Sequence, residues 1–437
     1  MTRQTEIESL RSGVLANRCL AALVLTASLV LPGCTSGDGE TTVAAGSTPQ
    51  PVRQALEGEV RPALLLTHAW FYKDAKGSPK PGPARLDIWR DGPGGWAATR
   101  LEDSDSNVFH KAIAYDGGIL TIGAQKAMLK HWTFADGKWS ARTLWERNWG
   151  GRFQRLRDVE IGDVDHDGKD EIVIATHDSG VVAVIDVDDV NGEVTVSEFD
   201  QKADTFVHEI EIGDIDGDGK LEFFATPSDR NKVNASQAGG VVMYRFDGKT
   251  YQKTWVEKQE GTHAKEILVT DIDGDGKSEL FSVLEAVVDP NNKNRLLKPV
   301  EIRAYDLQED GTFTHHVAAT IDDRQTRFLV PGDFDGDGTQ ELVAAAFRSG
   351  LWHLTPPEKE GGTWKTTLIQ ANSSGFEHAA YAADLDGDNK VELYVAADDQ
   401  RELSRYDYDG ASKTWSKKVL GTLEDDVLTW NVTSGRF

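Results

Sequence analysis

The sequence predicts an all-β fold, a β-propeller of seven four-stranded blades, and three observations predict it. An acidic nine-residue motif recurs five times. Each copy is flanked by short apolar runs with strand periodicity. The two ends of the chain carry complementary parts of one further blade.

The motif is Asp-x-Asp-x-Asp-Gly-x-x-Glu. Its copies start at Asp163, Asp214, Asp271, Asp333 and Asp384, between 51 and 62 residues apart. A period of that size belongs to a solenoid or a propeller. The flanks favour the propeller. A short alternating run such as His208 to Gly213 precedes each loop, and an apolar run such as Glu171 to Ala175 follows it. A third run comes next, such as Gly180 to Ile185 or Gly240 to Tyr244. An Asp-Gly turn with a nearby aromatic then leads into a fourth, as at Asp247-Gly248 before Tyr251. Four antiparallel strands in such a unit make one blade.

A sixth unit, Val108 to Ile122, lies upstream, with Asp116-Gly117-Gly118 in place of the acidic loop. Before it, the runs from Arg61, Ala84 and Gly95 read as second, third and fourth strands that lack a first. The chain ends in a lone strand around Leu428 to Val432. Pairing that strand with the N-terminal three closes the ring and removes the sheet edges. Eight blades, or six with a separate N-terminal piece, are the alternatives.

Carboxylates alternating over five residues, then a turn, then a further carboxylate suit a hard cation that takes oxygen ligands. Packed together without a counter-ion they repel one another. The expected ligands are Asp163, Asp165, Asp167, the Lys169 carbonyl and Glu171 in the first loop. In the second they are Asp214, Asp216, Asp218, Lys220 and Glu222, and in the third Asp271, Asp273, Asp275, Lys277 and Glu279. The fourth offers Asp333, Asp335, Asp337, Thr339 and Glu341, and the fifth Asp384, Asp386, Asp388, Lys390 and Glu392. Gly168 supplies the positive φ of the first turn, and Asn389 stands at that place in the fifth. An EF-hand needs a carboxylate at loop position 12, where this chain has Ile174, Ala225, Ser282, Ala344 and Val395. The motif instead resembles the FG-GAP or VCBS repeats of integrin-type and bacterial surface propellers. The resemblance implies about five structural Ca2+ ions.

Six residues upstream of each leading aspartate, and in the sixth unit, stand His110, Arg157, His208, Lys265, Arg327 and His378. All are basic, in a chain with 47 Lys and Arg and 11 His among 437 residues. The position begins the innermost strand, at the end opposite the acidic loop, so the six are expected to ring one mouth of the channel. One reading is that they balance neighbouring acids such as Asp158, Glu209 and Glu266. The other is a cationic funnel for a carbohydrate or another anionic ligand. Loops on the same face add His177, Asp178, Asp229, Arg230, Glu285, Arg348, Asp398 and Arg401, with His68, Trp70 and Tyr72 from the split blade.

No catalytic signature is present, and fold does not imply function. The expected function is a binding module. A lyase or sugar dehydratase, with His208 or His378 as base and Arg157 or Arg327 as neutraliser, is the enzymatic alternative. A protein-binding surface scaffold is the third. The net charge of −25 excludes a nucleic-acid binder, which needs a basic footprint. A monomer is expected.

Residues 1–33 read as a secretory signal, with the apolar run Cys19 to Pro32 at its centre. A start at Val14 would make it compact. Leu31-Pro32-Gly33-Cys34 resembles the bacterial lipobox, with Pro32 an unusual residue in it. The resemblance implies a lipid on Cys34 and anchorage to the cell envelope, at the outer membrane if the organism is Gram-negative. Residues 34–56 are a flexible tether and 57–437 the propeller. Cys19 and Cys34 are the two cysteines, so the propeller has no disulfide framework.

Overall fold

The computed structural model describes residues 61–437, apart from 151–153, 231–236 and 360. The signal, Cys34 and the tether lie outside the described residues.

Seven four-stranded antiparallel sheets follow one another around a central axis. Blade 1 is the split blade. Its inner strand is the C-terminal Val427–Arg436, which pairs with Pro62–Lys73, followed outwards by Ala84–Arg90 and Ala97–Asp103. The expected closure is therefore the observed one. Blades 2 to 7 run in chain order, with inner strands Phe109–Tyr115, Leu156–Gly162, Thr205–Gly213, Ala264–Thr270, Thr326–Gly332 and Ala380–Ala383. Each inner strand touches the next around the ring, and the C-terminal strand touches that of blade 2.

The core is a set of apolar layers between blades. Leu120, Ile122 and Leu129 of blade 2 face Ile172, Ile174 and Ile185 of blade 3. Comparable layers join blades 1 and 2, 3 and 4, 4 and 5, 5 and 6, 6 and 7, and 7 and 1. Both faces of a blade are covered, so the second strands read as continuous apolar runs. Glu171–Thr176 and Glu341–Ala346 are buried along their whole length.

The two ends of the strands differ. The acidic loops join first to second strands in blades 3 to 7. Blade 2 makes that connection with a tight turn in which Asp116 and Gly117 both have positive φ, at 44° and 68°. Such values at both central positions match the twist of a hairpin. In blade 1 the propeller's chain ends meet at this place, where Arg61 and Phe437 exchange backbone hydrogen bonds of 3.1 and 3.3 Å. At the other end, blades 1 and 5 each extend a hairpin between second and third strands, ending in Pro79–Pro81 and Asn292–Lys298.

Candidate functional site

The acidic loops form five clusters of side-chain oxygens. In blades 3 and 7 one oxygen from each of Asp163, Asp165, Asp167 and Glu171, and of Asp384, Asp386, Asp388 and Glu392, lies within 4.8 Å of the others. In blades 4 and 5 the three aspartates converge in the same way, and in blade 6 Asp333, Asp335 and Glu341. The turn shapes itself around the first aspartate. Asp163 accepts the Gly168 N–H at 3.1 Å, and Asp271 that of Gly276 at 2.8 Å. The final glutamate accepts the N–H after the first aspartate, as in Ile272 to Glu279 at 2.8 Å. Asp163 Oδ1 is buried and accepts no hydrogen bond, as an oxygen aimed at a cation would be.

A second positive-φ position escaped the sequence reading. Gly217, Gly274, Gly336 and Gly387 share φ of 72° to 78° at loop position 4, and His166 holds 64° there. Glycine in four of five copies was the available signal.

The loops also differ in counter-charge. In blade 4, Arg245 donates to Glu222 and Asp216, both at 2.7 Å. In blade 7, Arg405 reaches Asp386 at 2.5 Å and lies 3.2 Å from Glu392. In blades 3, 5 and 6 burial and the neighbouring aspartates push Glu171, Glu279 and Glu341 up to about 7. Two clusters thus carry a guanidinium of their own, and among the described residues the other three do not. Both arginines lie on third strands, far in sequence from the motif.

Five of the six basic residues are linked at the opposite mouth, while His378 bonds Ala346 and Ser373 instead. The inner-strand register slips at His110, Arg157, His208, Lys265 and Arg327, each within a β-bulge. A bulge re-aims side chains, and here it turns them toward the axis. His378 stands outside a bulge and has a φ of 57°. The seventh position is Trp430, at the register slip of the closing strand.

The mouth is buried and internally paired. Glu377, 2% exposed, accepts from Arg327 at 3.0 and 3.2 Å and lies 3.5 Å from Arg157. These residues come from blades 3, 6 and 7. Phe376 stacks on the Arg327 guanidinium at 4.8 Å, and Trp430 lies 5.5 Å from that of Arg157. Trp430 also meets the His110 ring edge-on at 4.7 Å. His110, His177, His208 and His263 form an arc with ring separations of 5.4 to 6.5 Å.

Burial decides the charges. It drives His110 and His208 well below the usual imidazole range, and takes His177 and His263 to about 3 and His378 to about 4. These rings are neutral at neutral pH. Lys265, buried beside Arg327 and Arg157, is brought down to about 7, although Glu285 lies 3.8 Å away. Its ammonium donates to His208 Nε2 at 3.2 Å. The flanking loops are paired as well, with Asp178 on Arg155 at 2.5 Å and Arg230 on Asp204 at 3.2 Å. Asp398 accepts from the Thr429 hydroxyl at 2.9 Å, and Arg401 pairs with Asp425 at 2.8 Å. Trp70 and Tyr72 stand together at 5.7 Å, with Arg85 over Trp70 at 3.7 Å.

Below this ring, blades 3 to 5 line the channel with acids. Lys111 pairs with Asp158 at 2.9 Å and with Glu160. Burial, reinforced by neighbouring carboxylates, pushes Glu209, Glu211 and Glu266 well above the usual range. Phe328 and Ala379 follow the ring position in blades 6 and 7. Some buried polar atoms at the mouth have no hydrogen-bond partner, namely Trp430 Nε1, Arg327 Nε and His263 Nδ1, whereas His177 Nδ1 lies 3.7 Å from the Asp178 carboxylate.

Known proteins resemble the chain in sequence and in shape. Residues 163–225, 214–282, 271–344 and 333–395 match the family described as FG-GAP-like repeat, together more than half of the chain. Over 227 residues the chain is 24% identical to the rhamnogalacturonan exolyase YesX of Bacillus subtilis. That match covers 43% of this chain and only 37% of the relative. Among solved structures, a Lactobacillus plantarum protein superposes with a TM-score of 0.54 at 11% identity, covering 85% of this chain and 99% of its own. A candidate 6-phosphogluconolactonase of Bacteroides uniformis gives 0.53 at 12%, covering 86% and 99%. At such identities these structures speak for the fold alone.

Proposed function

The chain belongs to the FG-GAP-like repeat family, and on that premise we propose that it is a calcium-stabilised binding module for acidic carbohydrate, with its site at the bulged mouth. The observation that carries the reading is the group of orphaned polar atoms there. Trp430 Nε1, Arg327 Nε and His263 Nδ1 are buried without a hydrogen-bond partner in the protein. Native proteins seldom leave such groups unpaired. Beside them two guanidiniums converge on one carboxylate, Glu377, between aromatic faces. An arginine fork suits a carboxylate well, and a uronate carboxylate has the chemistry to replace that of Glu377. The Bacillus relative, a rhamnogalacturonan exolyase, supports the same ligand class.

In this reading the six basic residues act by shape and hydrogen bonding more than as a field of free charge. The acidic loops hold Ca2+, whose demand for six to eight oxygens they fit better than Mg2+. A glycan array on the calcium-loaded protein tests the ligand class. Arg327→Gln combined with Glu377→Gln leaves the net charge of the mouth unchanged and removes the fork. Binding to uronic glycans should disappear in that double variant, and undiminished binding would refute the reading.

Lys265 and His208 favour a second reading, a lyase. A lysine near neutral pKa, 3.2 Å from a neutral imidazole, can take a proton at physiological pH. The measurement is ultraviolet absorbance of an unsaturated uronate product. Its appearance with wild type and loss with Lys265→Met would establish turnover, and its absence on every uronic polymer would leave the binding module. We also propose export with a lipid on Cys34. Metabolic labelling with a fatty acid, lost in Cys34→Ala, tests that.

A further inference from the structure

We infer a second carbohydrate site, for an acidic pyranoside, in the crevice between blades 3 and 4. It shares its ligand class with the mouth but none of its residues. A cleft of about 350 Å³ opens there, lined by Asp200 and Lys202 from blade 3 and by Tyr244, Lys253 and Trp255 from blade 4. Trp255 is 40% exposed, an unusual state for an indole on a strand.

Its position explains part of this. The outer strand of blade 4, Tyr251–Gln259, carries a bulge at Val256, and Trp255 precedes it. Blades 5, 6 and 7 bulge at the same place, and there the residue is Val317, Leu368 or Val419, each also exposed. The fold therefore accepts a modest apolar side chain at this point. The indole is particular to blade 4, and so is its seat. A Cβ on Gly240 would lie 2.2 Å from the Glu257 carbonyl oxygen and 2.8 Å from Trp255 Cζ3, so glycine lets both the outer strand and the ring lie close over the third strand. The indole is held as a platform at the edge of the cleft.

The polar groups around it select the ligand. The Lys253 and Lys258 ammoniums lie 5.3 and 5.1 Å from the ring centroid. Asp200 accepts from Lys253 at 2.6 Å and from the Tyr244 hydroxyl, which consumes its charge. Lys202 is exposed in the cleft lining, and Lys258 is exposed beside the indole. The cleft thus presents surplus positive charge in a chain of net charge −25. An apolar platform with convergent cationic donors fits a pyranose ring bearing a carboxylate. Its C–H face covers the indole, and its carboxylate meets Lys202 and Lys258.

Calorimetric titration of the full chain with tetragalacturonate tests the site, with cellotetraose as the neutral comparison. Trp255→Ala should weaken the crevice binding event by about tenfold or more with no change in melting temperature. Trp255→Phe should restore most of it, and Lys202→Gln with Lys258→Gln should weaken tetragalacturonate alone. Titration of Trp255→Ala indistinguishable from wild type would overturn the proposal. Equal affinity for cellotetraose would overturn the acidic ligand. Failure of the mouth reading shows separately, as indifference to the Arg327→Gln, Glu377→Gln double variant.

Discussion

The two ends of the blades are built by different rules. At the loop end, nine consecutive residues make a complete cluster, and each of blades 3 to 7 makes its own. At the mouth, no blade makes anything alone. Arg157, Arg327, Glu377 and Trp430 come from four blades and meet only when the ring has closed. The loop end is exposed and rich in repelling carboxylates, whereas the mouth is buried, neutralised from within and aromatic. The difference teaches that the acidic clusters are assembled blade by blade, while the mouth requires the whole ring.

Calcium should expose the contrast most strongly. Each loop that binds the ion only in the folded state adds about 2.7 kcal/mol at a hundredfold excess over Kd. EGTA should therefore lower the melting temperature by the largest margin of any treatment. Indifference to EGTA would break the comparison at once. The arginines sharpen it further. Arg245 and Arg405 already neutralise part of the clusters in blades 4 and 7. Asp335→Asn in blade 6 should cost more calcium-dependent stability than Asp216→Asn in blade 4. Equal losses, measured by melting with and without calcium, would show that the guanidinium does not compete with the ion.

The mouth should respond to Glu377 instead. Removing this carboxylate leaves Arg157 and Arg327 facing each other in a buried site. Breaking a buried pair from one side typically costs about 3–5 kcal/mol. Glu377→Ala should lose stability of that order in calcium and in EGTA alike. Chelator-dependent loss would mean that the two ends are coupled. Restoration by Arg327→Met in the same chain would identify stranded charge as the cause.

A smaller effect follows from His378. Its Nδ1–H donates to the Ala346 carbonyl at 2.7 Å, so Nε2 accepts from the Ser373 hydroxyl at 2.8 Å. Burial brings its folded pKa to about 4, against about 6.5 in an unfolded chain. Below about 6.5 the unfolded state therefore binds the proton first. The contribution of this histidine is complete above that pH and is lost as pH falls toward 4, by at most about 1.4 kcal/mol per unit. The channel acids, whose pKa values are raised, act in the opposite sense, but they are common to wild type and variant. His378→Asn keeps a residue suited to the positive φ and should flatten the acid limb of stability, measured with chelator present. Parallel acid limbs would show that the ring is not held neutral.

The same contrast explains what the sequence made legible. The loop motif, its carboxylates and the split blade depend on neighbours in sequence or on strand pairing, and repetition displayed the motif five times. The mouth residues were visible as a column of basic side chains, since their place on the inner strand is fixed by the repeat. Their partners were not. Glu377 lies just before the aligned position of its own blade, and nothing in its surroundings marks it as the meeting point of arginines from blades 3 and 6. Trp430 was hidden because a bulge set its register. Arg245 and Arg405 were hidden because a third strand reaches its own first loop only through the sheet. Burial then removed the charge expected of the histidines, which composition cannot show.

The smallest effect belongs to the blade whose loop end lacks a cluster. In blade 2, Asp116 and Gly117 both sit at positive φ, the geometry for which Asn-Gly is the preferred pair. Asp116 is exposed, and its side chain takes part in no acidic cluster. Asp116→Asn removes a charge without disturbing the turn. The expected change in stability is within about 0.5 kcal/mol, the usual range for a surface substitution. It should be the same in calcium and in EGTA, because a hairpin turn closed by backbone geometry has no ion to lose. A calcium-dependent shift at Asp116 would mean that blade 2 also binds the metal, and the division between self-closing and ion-closed blades would fall.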